Sequence, residues 1–471
     1  MPPITLFWFK RDLRIDDNDA LVRALSLGCP VVPVYILEPS VLADPHTDER
    51  HIRFIKESLA DLNLHLAPFG TRVLFLQEEV VDALAALRTI HPIAHLVSTM
   101  EIGVDVTFQR DRRVAAYCAS AGIRWTETRY NGIRRGLRDR TPWLDHWDAY
   151  VSAPLAKPDL SRATFLPEAE LRALESGLRT FTTETPPHGM QKGGRTEAER
   201  WMEVFFKERI SRYSASISKP ALSDSGASKV SAYLAWGNLS VRELVRRCRS
   251  SSLPPKAVFT FLSRLRLQSY FIQKFESHPS TEFRPFLPEY EKLDMPRNEA
   301  HIAAWKEGRT GYPLVDACMR CLIETGYLNF RMRSVLFSFY AHHLFQHFEH
   351  IGAWLARQFL DFEPGIHYGQ MQTQSGFTGS SVVRIFNPTK NAQEYDERAE
   401  FIRRWVPELG PLPPSLAIEP WKVTPMEEMM YGFRLGVDYP APIVDIEVTR
   451  KRAMDAHTRL RTEHLKKTSS L

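Results

Sequence analysis

Cysteine is scarce in this chain of 471 residues, which contains only five. They are scattered along the sequence as Cys29, Cys118, Cys248, Cys318 and Cys321. An odd and widely spaced set does not build a disulfide framework, so small secreted scaffolds are excluded and a reducing compartment is favoured. Long apolar runs are also missing, because none approaches the roughly 20 residues that a membrane helix needs. The first residues, MPPITLFWFKRDLR, carry charges where a secretion signal has its apolar region. We therefore expect a soluble, cytoplasmic protein without membrane contact.

Neither sign of charge dominates the sequence. The 61 Lys and Arg residues against 56 Asp and Glu residues leave a formal net charge of +5. Such a mild excess is compatible with binding a polyanion but does not require it. The length exceeds the size at which one hydrophobic core keeps growing, so we expect two domains.

Short apolar runs alternate with helical segments between residues 4 and 127, beginning with ITLFWF, DNDALVRALSLG and VVPVYIL. This alternation predicts an α/β domain with a parallel sheet covered on both faces. The GxGxxG fingerprint of dinucleotide-binding domains does not follow the first run. The charged stretch FKRDLRIDD stands there instead, and we expect it to form a loop at the carboxyl edge of the sheet.

Proline and glycine accumulate between residues 129 and 195, in stretches such as SAPLAKPDLS and TETPPHGMQKGG. This composition is typical of a connecting segment, in which PEAELRALESGLR is expected to form a short helix. Helical spacing of apolar residues resumes with TEAERWMEVFFKERISRY. We therefore predict an α/β domain at 1–128, a linker at 129–195, an all-helical domain at 196–449 and a C-terminal tail at 450–471.

A candidate phosphate site precedes the predicted helix SAYLAWGNLS. Ser228, Lys229 and Ser231 place two hydroxyl groups and one cation just before or at its start. Free N–H groups at a helix N-terminus, together with such side chains, suit a phosphate. The same pattern is also typical of an ordinary capped helix.

The stretch from Trp305 to Lys390 has the most regular helical pattern. The turn GRTGYP predicts a helix that begins near Pro313. Arg333 stands near the start of the next helix, and Asp361 follows further along. An unpaired charge among apolar helices costs several kcal/mol, so we predict an ion pair between Arg333 and Asp361.

Two patterns have the spacing of metal ligands but lack the additional residues that a metal site needs. Cys318 and Cys321 form CxxC inside an apolar helix, with no second Cys or His pair; this context does not suit zinc or redox chemistry. His343 and His347 are one turn apart on a helix but lack the glutamate of HExxH. We predict no metal site.

Several motifs, taken together and in order, resemble the photolyase/cryptochrome family. They are FWFKRDLRIDDNDAL, GRTGYPLVDACMR, the RMR element, LDFEPG, RIFNPTKNAQEYD and FIRRWVPEL. The resemblance covers nearly the whole chain except the linker and the tail. It implies an α/β N-terminal domain followed by an all-helical FAD-binding domain. Relatives often carry an antenna pigment as well, but STMEIGVDVTFQRDRR lacks the folate-contacting residues, and we assign no antenna from the sequence.

The resemblance also implies a set of FAD-binding residues. They are Tyr213, Ser228, Lys229, Ser231, Gln268, Arg333, Asp361, Glu363 and His367. Ala227 departs from the pattern, because relatives have a hydroxyl side chain there. His367 occupies the position that faces the flavin N5 in relatives, where a histidine would donate a hydrogen bond to a reduced, anionic flavin.

The residues expected to contact a lesion depart further from the family. Relatives that repair cyclobutane dimers place Glu, Trp, Met and Trp where this chain has Arg264, Leu267, Ser334 and Thr373. The tryptophan chain that feeds electrons to the flavin in many relatives is replaced by Met371, Phe348 and Met295. As substitute electron donors we consider Tyr327, Tyr340, Trp354 and Tyr368. We name Arg264, Thr373 and His367 as the candidate catalytic residues.

The function implied by the resemblance is that of a DNA photolyase, a lyase that uses light and reduced FAD to repair UV-induced pyrimidine dimers. Because the pocket has fewer stacking groups, we expect UV-damaged single-stranded DNA to be preferred, since a base leaves a single strand at lower cost. We expect a monomer, associated with the nucleoid if the chain is prokaryotic. The alternative is a cryptochrome-type blue-light photoreceptor. A flavoprotein with dark redox chemistry ranks last, because no nicotinamide-binding motif is present.

Overall fold

The structure is a computed structural model that describes residues 1–250, 253–379 and 383–468. The chain divides into two compact units. Unit 1 comprises Met1–Ser211, Ser228–Pro279 and Leu360–Ile366; unit 2 comprises Arg212–Ala227, Ser280–Phe359 and the chain from His367 onward. The domain bounds inferred from the sequence stay a prediction.

Unit 1 contains a five-stranded sheet, with strands β1 (Ile4–Phe9), β2 (Val31–Ile36), β3 (Leu74–Leu76), β4 (Ile93–Thr99) and β5 (Arg124–Thr128). All neighbouring strands are parallel, in the order β3-β2-β1-β4-β5. Every residue of β1 and β2 is buried, as expected for a parallel sheet covered on both faces. The strand order reverses between β1 and β4, so their carboxyl ends form the kind of crevice at which α/β sheets bind ligands.

The helices between the strands follow the predicted alternation. They are α1 (Asp19–Leu25), α2 (Pro39–Leu42), α3 (Glu49–Leu66), α4 (Val80–Ile90) and α5 (Asp105–Ala121). Helix α1 starts at Asn18, whose side chain accepts a hydrogen bond from the Leu21 amide. Helix α3 starts with a reciprocal cap between Asp48 and His51. These caps satisfy backbone N–H groups that have no partner within the helix.

The segment expected to be a linker contributes to the core of unit 1. It contains helices α6 (Trp143–Ser152) and α7 (Glu168–Glu175). Leu171 and Leu174 of α7 are fully buried and belong to the apolar cluster that includes the sheet residues. Burial of two leucines contributes roughly 3 to 6 kcal/mol, so this proline-rich segment packs as part of the fold.

The remaining chain is helical, with bounds that follow. The helices are α8 (Arg195–Val204), α9 (Ile210–Ser216), α10 (Ser223–Gly226), α11 (Ser231–Ala235), α12 (Val241–Arg249), α13 (Pro255–Ser277), α14 (Glu299–Lys306), α15 (Pro313–Thr325), α16 (Phe330–Ser338), α17 (Gly352–Gln358), α18 (Pro364–Gln374), α19 (Pro388–Tyr395), α20 (Glu400–Trp405), α21 (Pro414–Ile418), α22 (Pro425–Tyr431) and α23 (Ile446–Thr468). The predicted fold class, an α/β N-terminal part followed by a helical C-terminal part, is confirmed. The last helix covers most of the expected tail, of which 469–471 lie outside the described residues.

The core of unit 2 is organised by a buried carboxylate. Helix α15 begins at Pro313, as predicted, and Asp316 in its first turn is fully buried. Its oxygens accept hydrogen bonds from the amides of Thr310 and Gly311 and from the Tyr439 hydroxyl.

No helix in the described ranges is long and apolar enough to cross a membrane.

Candidate functional site

A pocket opens in unit 1 at the carboxyl edge of the sheet. The empty space at its mouth and interior, including open solvent, is about 800 Å³. We call it the sheet-edge pocket; its lining includes Arg11, Glu38, His46, Arg110, Trp236 and Phe362. Arg11 belongs to the charged stretch that the sequence placed at this edge, and that expectation is confirmed. The pocket combines aromatic rings with charged groups, which suits a planar polar ligand.

One side of the sheet-edge pocket is a dense charge cluster around Arg110. The guanidinium contacts Glu38 at 3.0 Å, Glu101 at 2.6 Å and Asp111 at 2.9 Å. Burial disfavours the Arg110 cation, but the carboxylates outweigh burial and hold its pKa well above the ordinary value. Burial raises the pKa of Glu38 to about 7, against the lowering effect of Arg110. Because burial outweighs the attraction of Arg110, Glu38 binds a proton more readily than an ordinary carboxylate.

Another part of the pocket lining is aromatic. His46 stacks on Phe362 with ring centroids 5.7 Å apart and 12° between the planes. His51 lies 5.5 Å from the Trp236 ring. The Arg11 guanidinium lies over Trp236 at 4.5 Å from the ring centroid, within the range of a cation–π contact.

The segment Leu360–Glu363, which we call the LDFE segment, is held in unit 1 by three long-range hydrogen bonds. Arg11 donates to the Phe362 carbonyl, and the Trp236 indole donates to the Leu360 carbonyl at 2.8 Å. The Tyr130 hydroxyl donates to Oε2 of Glu363 at 3.0 Å. Gly365 then lies so close to α13 that an added Cβ would come within 2.6 Å of the Ile272 Cα, so only glycine fits there.

Two predicted cofactor residues, Asp361 and Glu363, therefore occupy a fixed backbone. Both are buried. Burial raises the pKa of Glu363, opposed by Arg11 and by the Tyr130 hydrogen bond. Its Oε1 has no hydrogen-bond partner among the described residues. A buried polar atom without a partner is costly, which marks Oε1 as a group available to a ligand.

The candidate phosphate residues lie in the same unit, at the start of α11. Lys229 adopts a left-handed backbone conformation with φ of 56°, and its carbonyl accepts a hydrogen bond from the Gln191 side chain. The Ser231 hydroxyl is buried and has no partner within the described part of the chain. A strained residue next to a buried hydroxyl that lacks a partner is typical of a ligand site.

Helix α13 carries the remaining predicted residues of unit 1. Its buried stripe includes Phe261, Leu265 and Ile272. Arg264 and Gln268 lie one turn apart on a different face, where Arg264 is exposed and Gln268 is half-buried. Unit 1 thus contains Ser228, Lys229, Ser231, Arg264, Gln268, Asp361 and Glu363.

Unit 2 contains Tyr213, Arg333, His367 and Thr373. Arg333 donates from Nε to the Leu328 carbonyl at 2.7 Å and lies 4.1 Å from the centroid of the Phe359 ring. Tyr213 is buried. The Arg333–Asp361 pair stays a prediction, because the two residues belong to different units.

The hydrogen bond of His367 defines its tautomer. Its Nε2 lies 2.9 Å from the Gly352 carbonyl oxygen, which can only accept, so Nε2 carries the proton. A second donor at Nδ1 exists only in the imidazolium form. The predicted hydrogen bond from His367 to an anionic flavin therefore requires the cationic ring if it comes from Nδ1.

Thr373 is exposed on α18, and its hydroxyl donates to the Gly369 carbonyl at 2.8 Å.

Aromatic side chains expected to relay electrons lie in unit 2. Trp305 is fully buried and neighbours both Tyr340, at 4.8 Å between ring centroids, and Trp354, at 6.2 Å. Tyr368 neighbours His367 at 5.1 Å. Trp305 joins two of the predicted relay residues and was not itself predicted from the sequence.

The side chains that hold the LDFE segment were not predicted from the sequence. Arg11 stands in FKRDLR, which the sequence marked only as a charged loop. Trp236 lies in a predicted helix, and Tyr130 lies in the predicted linker. No local pattern connects any of the three with residues 360–363, because their partners are more than 100 residues away.

Comparisons with known proteins agree with this architecture. The family model for DNA photolyase matches residues 5–133, and that for the FAD binding domain of DNA photolyase matches residues 261–459. Together the two models cover more than half of the chain. The chain belongs to the photolyase/cryptochrome family.

Proteins similar to this chain include cryptochromes and photolyases. A cryptochrome DASH of Natronomonas pharaonis is 29% identical over 93% of this chain and 98% of its own length. The deoxyribodipyrimidine photo-lyase of Escherichia coli is 26% identical over 96% of this chain and 98% of its own length. At these identities the comparison supports the family without separating repair from sensing.

Solved structures share the fold across nearly the whole chain. A Synechocystis cryptochrome superposes with a TM-score of 0.85 at 22% identity, covering 97% of this chain and 99% of its own. A class III photolyase of Agrobacterium tumefaciens gives 0.83 at 22% identity and covers 98% of each chain. An archaeal photolyase of Sulfolobus tokodaii, described with two FAD molecules, gives 0.79 at 24% identity, covering 97% of this chain and 99% of its own.

The side chains present fit FAD, the cofactor of the matched domain. The Ser231 hydroxyl and the Lys229 ammonium provide the donors that a diphosphate needs. The Oε1 atom of buried Glu363, which has no hydrogen-bond partner in the described ranges, offers a polar contact to the rest of the cofactor. Within the described residues, no group of three or more His, Cys, Asp or Glu side chains could hold a metal ion.

Proposed function

We propose that this protein is a DNA photolyase that repairs UV-induced pyrimidine dimers in light and prefers single-stranded DNA. The observation that carries the proposal is the exposed Arg264 on α13, next to Leu267 and Gln268 on a face that the core does not use. A cation there attracts the DNA backbone. The photolyase models and the Escherichia coli relative support the same reading.

The chain's own residues bind and orient the cofactor in this proposal. When bound and reduced, the flavin supplies the electron that, after light absorption, splits the dimer. Ser228, Lys229 and Ser231 hold the diphosphate through charge-assisted hydrogen bonds. The fixed backbone of the LDFE segment presents Asp361 and Glu363, whose carboxyl groups recognise polar edges of the cofactor.

The other cofactor contacts keep the roles that the family resemblance implies. Gln268 on α13 offers an amide that both donates and accepts. In unit 2, Tyr213 and Arg333 bind the cofactor, and His367 tunes the flavin. The Nε2 proton of His367 is already held by the Gly352 carbonyl, so its ring orientation is fixed before any ligand binds.

The lesion side differs from relatives that clamp the dimer between aromatic rings. Leu267 and Thr373 cannot stack on a base, and each lost stacking contact removes roughly 1 to 3 kcal/mol of binding. The Thr373 hydroxyl already donates to Gly369, which leaves its oxygen as an acceptor. Flipping a base costs a few kcal/mol in a duplex and least in a single strand. Because this site has less stacking energy to offset the cost of flipping, binding of a lesion in single-stranded DNA is favoured.

A second ligand is supported by the sheet-edge pocket. Its aromatic rings and its charged groups suit a planar polar chromophore. The Sulfolobus tokodaii structure is described with a novel light-harvesting cofactor, which supports a pigment for this chain. We propose that the pocket holds an antenna chromophore.

Illumination with defined lesions tests the proposed repair. The reduced, FAD-loaded protein is mixed with oligonucleotides that contain one thymine dimer, in single-stranded and duplex form, and exposed to blue light. Restored thymines in the light but not in the dark support repair. A flavin that photoreduces without any repair or lesion binding would favour the alternative, a cryptochrome-type photoreceptor, which the cryptochrome relatives support.

A further inference from the structure

The sheet-edge pocket and the LDFE segment share a wall made of Arg11, Trp236 and Phe362. All three side chains line the pocket. Phe362 is itself part of the segment, and the other two donate hydrogen bonds to its backbone. The residues that a pocket ligand would touch are therefore those that fix the backbone of Asp361 and Glu363.

The wall is anchored to two neighbouring parts of unit 1. The Nε of Arg11 donates to the Ala235 carbonyl at 3.0 Å, and its guanidinium covers the Trp236 ring. Gly237, next to Trp236, has φ of 77°, and an added Cβ would lie 2.2 Å from the Arg11 carbonyl oxygen. The loop after β1 and the end of α11 are thus in direct backbone contact, and a displacement of one must move the other.

On its pocket side the wall makes ring contacts. His46 stacks on Phe362, and His51 packs on both Phe362 and Trp236. Such contacts are individually weak, about 0.5 to 1.5 kcal/mol per ring pair. A planar ligand in the pocket would add contacts to the same rings and restrict the segment further.

We propose that the occupant of the sheet-edge pocket and FAD bind cooperatively, with Arg11 and Trp236 as positioning residues that act through the LDFE segment. This inference rests on the proposed function, which assigns Asp361 and Glu363 to FAD. A ligand that restrains the wall reduces the entropy lost when FAD binds to the two carboxylates, so it raises the affinity for FAD. By thermodynamic linkage, FAD raises the affinity for the pocket ligand by the same factor. The coupling is mechanical and separate from any transfer of light energy between the two pigments.

The first test is the rate of FAD release from Trp236→Phe, which keeps an aromatic ring but removes the donor to Leu360. We expect release to become roughly threefold to tenfold faster, the range for one lost hydrogen bond. The matched control is Trp125→Phe, which removes an equivalent indole hydrogen bond, to Ser98 at 3.1 Å, outside the wall. Equal release from the two variants would overturn the positioning role of Trp236.

The second test adds a pocket ligand, with a hydroxylated deazariboflavin as the probe. In the unmodified and Trp125→Phe proteins, the probe should slow FAD release by roughly fivefold or more, and this effect should disappear in Trp236→Phe. A probe that leaves FAD release unchanged in the unmodified protein would overturn the coupling. These readouts are independent of repair, so absence of light-driven repair with the coupling intact would contradict only the proposed enzyme activity.

Discussion

Two buried imidazoles, His342 and His457, lie with ring centroids 5.4 Å apart in unit 2. The Nδ1 atom of each has no hydrogen-bond partner among the described residues. Burial lowers the pKa of His342 to about 3 and that of His457 to about 4, with Arg461 adding to the second shift. Burial also lowers the pKa of His343, the neighbour of His342 in the chain, to about 4.

The histidine pair makes unit 2 sensitive to acid. A base whose pKa is lower in the folded than in the unfolded chain binds more protons when unfolded, so stability is lost as the pH falls from about 6.5 towards 4. His457→Phe keeps a ring against Tyr290 and removes this proton uptake. We expect the variant to lose about 3 kcal/mol less free energy of unfolding over that range.

Denaturant unfolding of the apoprotein across the pH range measures this effect. His65→Phe serves as the control, because that side chain is 47% exposed. An acid sensitivity unchanged by His457→Phe would mean that His457 is not the site of proton uptake.

The contribution of the Glu38 carboxyl group to folding stability should depend on pH in the opposite direction. Its pKa is raised from 4.5 to about 7 in the folded chain, so the folded state holds the proton more tightly and loses that advantage as the pH rises through this window. Glu38→Gln removes the titrating group, and Arg110 keeps Glu101 and Asp111 as partners. We expect the decline in stability between these pH values to be smaller by about 3 kcal/mol. Thermal unfolding at both ends of the window checks this, and a steeper decline in the variant would contradict it.

Lys229 should contribute to FAD affinity through its charge. Lys229→Gln keeps an unbranched polar side chain, one bond shorter, but removes the cation. A hydrogen bond to a charged group is worth about 1.5 to 3 kcal/mol. The dissociation constant of FAD, measured by titration of the deflavinated protein, should rise by roughly tenfold or more. Lys207→Gln, at a 70% exposed lysine, should leave the constant unchanged. Equal affinities in both variants would remove Lys229 from the phosphate site.

The sequence predicted the layout of the fold because the layout follows from local patterns. Alternating apolar runs predicted the parallel sheet, and the GRTGYP turn predicted the start of α15 at Pro313. The resemblance to relatives then named candidate residues that neither composition nor spacing could have selected, such as Gln268 and Glu363.

Other features could not be read from the sequence, because they depend on contacts between distant segments. The proline-rich stretch before residue 195 was expected to connect domains, yet Leu171 and Leu174 pack in the core of unit 1. Trp236 and Leu360 are 124 residues apart in the chain, and no periodicity relates them. The burial that lowers the pKa of His342 likewise depends on α23, which lies far along the chain.

Arg264 should determine how strongly the protein binds damaged DNA. Arg264→Glu reverses a charge on the exposed face of α13, so it should weaken binding of a dimer-containing oligonucleotide and flatten the dependence of affinity on salt. Arg113→Glu reverses an equally exposed charge on α5 and should have a smaller effect. Fluorescence anisotropy at several salt concentrations measures both, and identical slopes would place the DNA contact elsewhere.

Single-turnover repair is the direct test of the proposed photolyase activity. Reduced, FAD-loaded protein in excess over an oligonucleotide with one thymine dimer is given a series of light flashes, and restored thymines are counted after each flash and in a dark control. We expect light-dependent repair that rises with flash number and is faster in single-stranded than in duplex DNA. No repair of either substrate by protein whose FAD is fully reduced and whose lesion binding is measurable would contradict it.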